Sequence, residues 1–259
     1  MIDSHAHLAD EAYSADLGEV LDRARARGLE GILCVVDASD TDEMARADAA
    51  AATWNGVRTT AGVHPHRAAP FAGNPSAAAG LVAARLASDR RVRAIGEVGL
   101  DYHYNFAPRE AQRAVFAAQV ALARTTGLPL VVHTREADDD TVSILEDGGA
   151  GAIRGVFHCF SGDARLAERA LRLGFYVSFS GIITFPKAAL LREVASTVPI
   201  ERTLVETDCP YLAPVPHRGR RNEPAWVRET LDTLAELHGL NPAQAAAATS
   251  RNYERLFGP

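Results

Sequence analysis

The chain has 259 residues, 47% of them hydrophobic and 7% aromatic, with 33 acidic against 27 basic side chains for a formal charge of -6. That length holds one large domain or two small ones. The charge argues against a broad basic face for gripping long duplex nucleic acid, whose binding comes mainly from Lys and Arg neutralising phosphates. Short apolar, often β-branched runs predict strands at 1–4, 31–36, 57–63, 92–97, 129–133, 153–158, 175–179 and 202–207. Between them, helical spacing predicts helices at 16–27, 40–53, 75–88, 108–126, 137–147, 163–173, 186–197 and 224–238, with a last one at 242–257. Pro108 opens one long helix and Gly127 closes it, while Asn241, Pro242 and Gln244 form an N-cap, first-turn proline and capping-box partner.

Eight strand–helix alternations give an α/β chain of the (β/α)8 barrel class, in a single domain over 1–259. A division near Gly148-Gly149 would break the even strand spacing. An open doubly wound sheet that bound a dinucleotide would carry a glycine-rich turn after its first strand, where two histidines stand instead. Lys187 is the only lysine, so the Gly-Lys-Ser/Thr triplet of a Walker-type phosphate loop is absent. Cys34, Cys159 and Cys209 lie far apart with no C-x-x-C pair, which argues against a disulfide framework or zinc knuckle and for a reducing, cytoplasmic setting. The N-terminus lacks signal-peptide character and no run reaches the roughly 18 apolar residues of a membrane span, so no membrane association is expected.

In such a barrel, functional groups collect at the C-terminal strand ends. There the sequence places His5 and His7 after strand 1, His64 and His66 after strand 3, Glu97 after strand 4, His133 after strand 5, His158 after strand 6, and Glu206 and Asp208 after strand 8. His5 and His7 share a face in extended backbone, and neutral imidazoles paired this way are a common metal grip. Closure of the barrel sets strand 8 beside strand 1 and so groups His5, His7 and Asp208. Strands 4, 5 and 6 group Glu97, His133 and His158, with Glu97 able to reach both groups. This layout predicts a two-metal hydrolytic centre holding two divalent ions, Mg, Mn, Zn or Ni.

The blocks His5-x-His7, Gly62-x-His64-Pro65-His66, Gly96-Glu97-x-Gly99-Leu100-Asp101-Tyr102, His133-x-Arg135, Phe157-His158-Cys159-Phe160-Ser161-Gly162 and Glu206-Thr207-Asp208-Cys209-Pro210-Tyr211-Leu212 resemble the signature blocks of TatD-type metal-dependent deoxyribonucleases, as does Arg218-Gly219-x-x-Asn222-Glu223-Pro224. They span nearly the whole chain in family order, with no departure at a presumed ligand. The resemblance implies a TIM barrel of the metal-dependent hydrolase type, divalent-metal dependence and 3'-to-5' removal of nucleotides from single-stranded or frayed DNA ends. Barrel hydrolases that bridge two metals with a carboxylated lysine carry it at the end of strand 4, whereas Lys187 follows strand 7, so Glu97 has to serve as the bridge.

Asp208 is the candidate general base, its alternative being a ligand role alone. Glu206 is a candidate to orient a ligand imidazole or water, and Asp3 a packing residue. His64 and His66 are assigned to the substrate, His64 through phosphate binding or leaving-group protonation. Arg135, Arg218 and Asn222 are assigned to phosphate contacts, the alternative for the Arg218–Asn222 stretch being a solvated loop. Tyr102, Tyr104, Phe106 and Phe160 are candidates for base stacking or for loop packing. Strand alternation turns Cys159 and Cys209 away from the metals. A monomer is expected, and the competing function is a barrel hydrolase of small amides, lactones or esters.

Overall fold

The computed structural model describes residues 1–149 and 151–258. Eight strands run in sequence order as one parallel sheet: β1 (Ile2–Ala6), β2 (Gly31–Cys34), β3 (Val57–Ala61), β4 (Val92–Asp101), β5 (Leu130–Arg135), β6 (Gly155–Phe157), β7 (Tyr176–Phe179) and β8 (Thr203–Val205). Eight helices follow the strands: α1 (Leu17–Ala26), α2 (Thr41–Thr53), α3 (Pro75–Ser88), α4 (Arg109–Thr126), α5 (Asp138–Gly149), α6 (Ala164–Arg172), α7 (Ala189–Thr197) and α8 (Val227–Leu237). A ninth, α9 (Pro242–Phe257), ends the described chain.

The strands are too apolar to leave either face in water. The outward side chains of Leu130, Val132, Phe157 and Val177 join the large core beneath the helices. The inward Leu33, Ala94, Val131, Val156, Tyr176 and Leu204 form a second cluster inside the barrel. Tyr253, Leu256 and Phe257 of α9 complete that cluster, so the last helix closes the barrel floor. The capping box of Asn241 and Gln244 starts α9, and Asn252 donates from Nδ2 to the carbonyls of Ile200 and Thr203 to hold it beneath β8. Gly127 ends α4 in the left-handed region, as its position in the sequence predicts.

Among the described residues no strand ladder joins β8 to β1, and the barrel closes by single bonds just beyond the strands. Asp208 N donates to His5 O at 3.0 Å and His7 N to Cys209 O at 2.8 Å. Buried Asp3 reinforces this seam by accepting from Thr207 N and Thr207 Oγ1. Burial pushes the Asp3 carboxyl up to about 8, against the lowering effect of those bonds.

Strand 4 runs four residues beyond the end that its apolar run predicts. Ile95 pairs with Leu130 but Val98 with Val132, so three steps on β4 match two on β5 and the extra residue falls at Gly96-Glu97. A similar irregularity between Asp3 and Ala6 lies at Ser4-His5 on β1. Bulges of this kind re-aim a side chain while the strand continues. Here they fall on His5 and Glu97. Two close approaches need glycine: a Cβ on Gly99, at φ +139°, would lie 2.0 Å from His133 O, and one on Gly62 would lie 2.5 Å from Gly96 C.

Candidate metal centre

The strand ends bring His5, His7, Glu97, His133, His158 and Asp208 together under a cavity of about 750 Å³. On the β1/β8 side, His5 Nε2 lies 3.3 Å from His7 Nε2, 3.6 Å from Glu97 Oε2 and 3.7 Å from Asp208 Oδ1. His7 Nε2 is 3.3 Å from Asp208 Oδ1 and 4.0 Å from Glu97 Oε2. On the β5/β6 side, Glu97 Oε1 lies 2.9 Å from His133 Nδ1 and 2.7 Å from His158 Nε2, which are themselves 3.3 Å apart. The two oxygens of Glu97 therefore face two different groups of donors.

These atoms fit divalent metal ions on two grounds. Four donors around one zinc-sized ion stand roughly 3.3–3.6 Å apart at tetrahedral geometry, and most separations on the β1/β8 side fall at or just above that range. The second ground is charge. Burial opposes ionisation of Glu97, yet His158, His64 and His133 outweigh it and hold this carboxyl well below its usual range. Burial likewise opposes charge on Asp208, and the His7 hydrogen bond with the surrounding imidazoles holds it down. Two buried carboxylates then need positive charge between them. In the metal-free chain it comes from imidazole protons: burial disfavours them, but Glu97 and Glu206 raise His158 well above its usual value, and Asp101 and Glu97 raise His133. A cation that displaces such protons meets neutral imidazole ligands.

Outer partners fix two of these rings. His158 Nδ1 faces Glu206 Oε1 at 3.3 Å, so its Nε2 lone pair can point inward, and the same oxygen accepts Cys159 N at 2.7 Å. Glu206 thus stands behind the His158 ring. His133 Nε2 faces Asp101 Oδ2 at 3.2 Å, leaving Nδ1 for the centre. Asp101 is buried, and His133, the Tyr104 backbone and His66 hold its carboxyl far below the ordinary range against the effect of burial. Its Oδ1 accepts the backbone N–H groups of His103 and Tyr104, and its Oδ2 also meets His66 Nε2 at 2.9 Å. The apolar run of strand 4 ends at Glu97, so the sequence alone does not mark Asp101 as a strand-end residue. The signal was available: residues 97, 99 and 101 share parity on a continuing strand.

Asp37, past β2, also escaped the sequence reading, although the strand-end rule points to it. Its Oδ2 accepts His64 N at 3.1 Å. His64 lines the cavity with Nε2 3.4 Å from Glu97 Oε1, while its Nδ1 accepts the backbone N–H of His66. Burial lowers its pKa, so the ring is neutral with its proton on Nε2, facing the centre. Arg135 lines the cavity rim.

Several residues stand elsewhere than the sequence suggests. Asn222 is not brought to the cavity: it is fully buried, its Nδ2 donating to the carbonyls of Thr207 and Tyr211, so it pins the loop behind Asp208. Arg218 lies outside the cavity lining, its guanidinium 3.8 Å from the Phe185 ring centre, and Arg221 is paired with Asp16. Cys209 is buried, but Cys159 lines the cavity, because its backbone turns to φ +42° just past β6 and strand parity ends there. Tyr102 and Phe160 are buried, whereas Tyr104 and Phe106 are exposed. Among the described residues no helix is long and apolar enough to cross a membrane.

Residues 2–258 match the family described as TatD related DNase. Over 257 residues the chain is 39% identical to the uncharacterized metal-dependent hydrolase YabD of Bacillus subtilis, covering 99% of this chain and 98% of that one. It is 35% identical to the 3'-5' ssDNA/RNA exonuclease TatD of Klebsiella pneumoniae over 263 residues, covering 100% and 98% respectively. The crystal structure of YJJV, a TatD homologue from Escherichia coli K12, superposes with a TM-score of 0.90 at 27% identity, covering 100% of this chain and 98% of that one. The chain belongs to the TatD-related family of metal-dependent hydrolases.

Proposed function

We propose that the protein is a 3'-to-5' exonuclease that hydrolyses phosphodiester bonds at single-stranded or frayed DNA ends, using two divalent ions. The observation that carries the reading is the division of Glu97, with Oε2 facing His5 and His7 and Oε1 facing His133 and His158. One ion would be held by His5, His7, Glu97 and Asp208, and the other by Glu97, His133 and His158. Bound there, the ions lower the pKa of water and offset negative charge on the phosphate. The substrate polarity is supported by the exonuclease named among the relatives.

The chain's own groups fit the remaining tasks. Asp208 is ionised and lines the cavity, so its carboxylate can orient the attacking water and take its proton. His64 presents Nε2–H to the same space, suited to a non-bridging phosphate oxygen or the leaving oxygen. Arg135 at the rim can pair with a phosphate farther along the strand. The acidic surface repels long duplex, while two cations in one recess favour a strand end.

The test incubates purified protein with end-labelled single-stranded DNA and Mg2+ or Mn2+, with EDTA and Asp208→Asn as controls. Progressive shortening that disappears in both controls supports the reading. Turnover of a lactone or dipeptide with no DNA cleavage under any metal overturns it.

A further inference from the structure

We infer that Tyr104 and Phe106 form a stacking subsite for one unpaired base of the substrate strand, next to the candidate metal centre. The inference rests on the phosphodiesterase reading and names a part of the substrate that this reading leaves unplaced. Both side chains lie in the loop between β4 and α4, and both are large apolar groups left in water, at 49% and 65% exposure. Their rings are parallel within 1° at a centroid separation of 5.4 Å. Aromatic side chains that merely pack a loop are covered by it, as Tyr102 and Phe160 are nearby. Phe106 instead keeps most of its surface open.

The position of this ledge is fixed relative to the centre. Asp101 Oδ1 accepts Tyr104 N at 2.9 Å while Asp101 Oδ2 faces the His133 ring, so one buried carboxyl group anchors both the ledge and a proposed ligand. His66 lies between them, its ring centroid 6.4 Å from His133 and 4.8 Å from Phe106, with its plane perpendicular to Phe106. Those two steps keep the ledge within the span of one or two nucleotides from the reacting phosphate. The Arg135 guanidinium stands 4.8 Å from the Tyr104 ring centre, which puts a phosphate-pairing cation beside an aromatic surface.

An open Phe106 face beside a Tyr104 ring that carries a cation over it suits a nucleotide whose base is free to stack, since every base offers a π-face. A base held in a duplex already stacks on its neighbours and cannot turn towards Phe106 without unpairing. The ledge thus selects an unpaired end through geometry, without reading sequence. It also gives His66 a purpose different from a phosphate contact, because the ring acts as the spacer between ledge and centre.

The experiment uses a series of 5'-labelled deoxyoctamers, each lacking one base, with the abasic position moved inward from the 3' end. Phe106→Ala is expected to raise KM for the intact octamer about tenfold, within the range of losing one base–aromatic stack, with the change falling in KM rather than kcat. One abasic octamer should show the same loss with the unaltered protein and no further loss with Phe106→Ala. In an Asp208→Asn background, Phe106→Trp should show indole fluorescence quenched by the intact octamer and not by that abasic one. The inference is overturned if Phe106→Ala leaves KM unchanged, if no abasic position matches it, or if the two losses multiply at every position. Unaltered protein that shortens no octamer overturns the nuclease reading and the subsite together, whereas cleavage insensitive to Phe106 overturns the subsite alone.

Discussion

The two sides of the candidate centre share Glu97 but differ in what stands behind their histidines. On the β5/β6 side each ring has an outer carboxyl partner, Asp101 behind His133 and Glu206 behind His158. On the β1/β8 side the outer nitrogen of His5 is buried without a partner. Outer carboxyl groups fix ring orientation and make an imidazole a more basic ligand. They also raise its affinity for protons, and His158 and His5 respond in opposite directions. His158 is raised well above its usual value by Glu97 and Glu206, while burial and the neighbouring His158 lower His5. His7, beside His5, is raised by Asp208 against the effect of burial, so under the two-ion reading two raised imidazoles on the β5/β6 side stand against one on the β1/β8 side, and the β5/β6 side is the more sensitive to acid.

The largest expected effect removes the shared element. Glu97→Ala should leave less than one ion per chain and lower nuclease activity at least about a thousandfold, since several kcal/mol of charge stabilisation disappear. Two ions retained by elemental analysis would break the bridge assignment. Asp208→Asn acts on the β1/β8 side alone, and we expect activity to fall about 10²- to 10³-fold while the β5/β6 ion is kept. Asp101→Asn and Glu206→Gln should weaken metal binding by about 10- to 100-fold on the β5/β6 side, read by competition with a chelating dye. Equal weakening on both sides would erase the contrast.

Acidification sharpens the same contrast. His158 and His133 must give up protons to bind a cation, and both are raised, so affinity there grows with pH and is lost as pH falls through their raised values. Stepwise dialysis from pH 8 to pH 5 should release the β5/β6 ion first, whereas simultaneous loss of both would contradict the ordering. The smallest effect serves as a control far from the centre. Asp89, packed with Arg85 and Arg91, has its carboxyl lowered by those arginines against the effect of burial. Such a group stabilises the fold above its unfolded pKa and ceases to do so as pH falls through the folded one. Asp89→Asn should therefore cost about 1 kcal/mol at pH 7, progressively less as pH falls through the lowered folded value, and no metal.

The barrel was legible because eight buried strands read as short apolar runs, and the six proposed ligands because each follows such a run. What the sequence hid depends on departures from regular backbone. The extra residue at Gly96-Glu97 made β4 look finished at Glu97 and so concealed Asp101. The left-handed turn at Cys159 carried that residue into the cavity against strand parity. Asn222 was misplaced for a different reason. A polar residue in an arginine-rich loop reads as solvent-facing, and only the fold shows that its amide is spent on the carbonyls of Thr207 and Tyr211.

The seam between β1 and β8 has a consequence for the timing of synthesis. Its bonds join residues 5 and 7 to residues 208 and 209, and the floor beneath it is closed by α9 at the far end of the chain. At roughly 5–20 residues per second the first two histidines wait about 10 to 40 s for their partner carboxylate. The candidate centre therefore cannot assemble while the first half of the barrel is being made, and the early strands must stay clear of wrong pairings until residues 208 and 209 arrive.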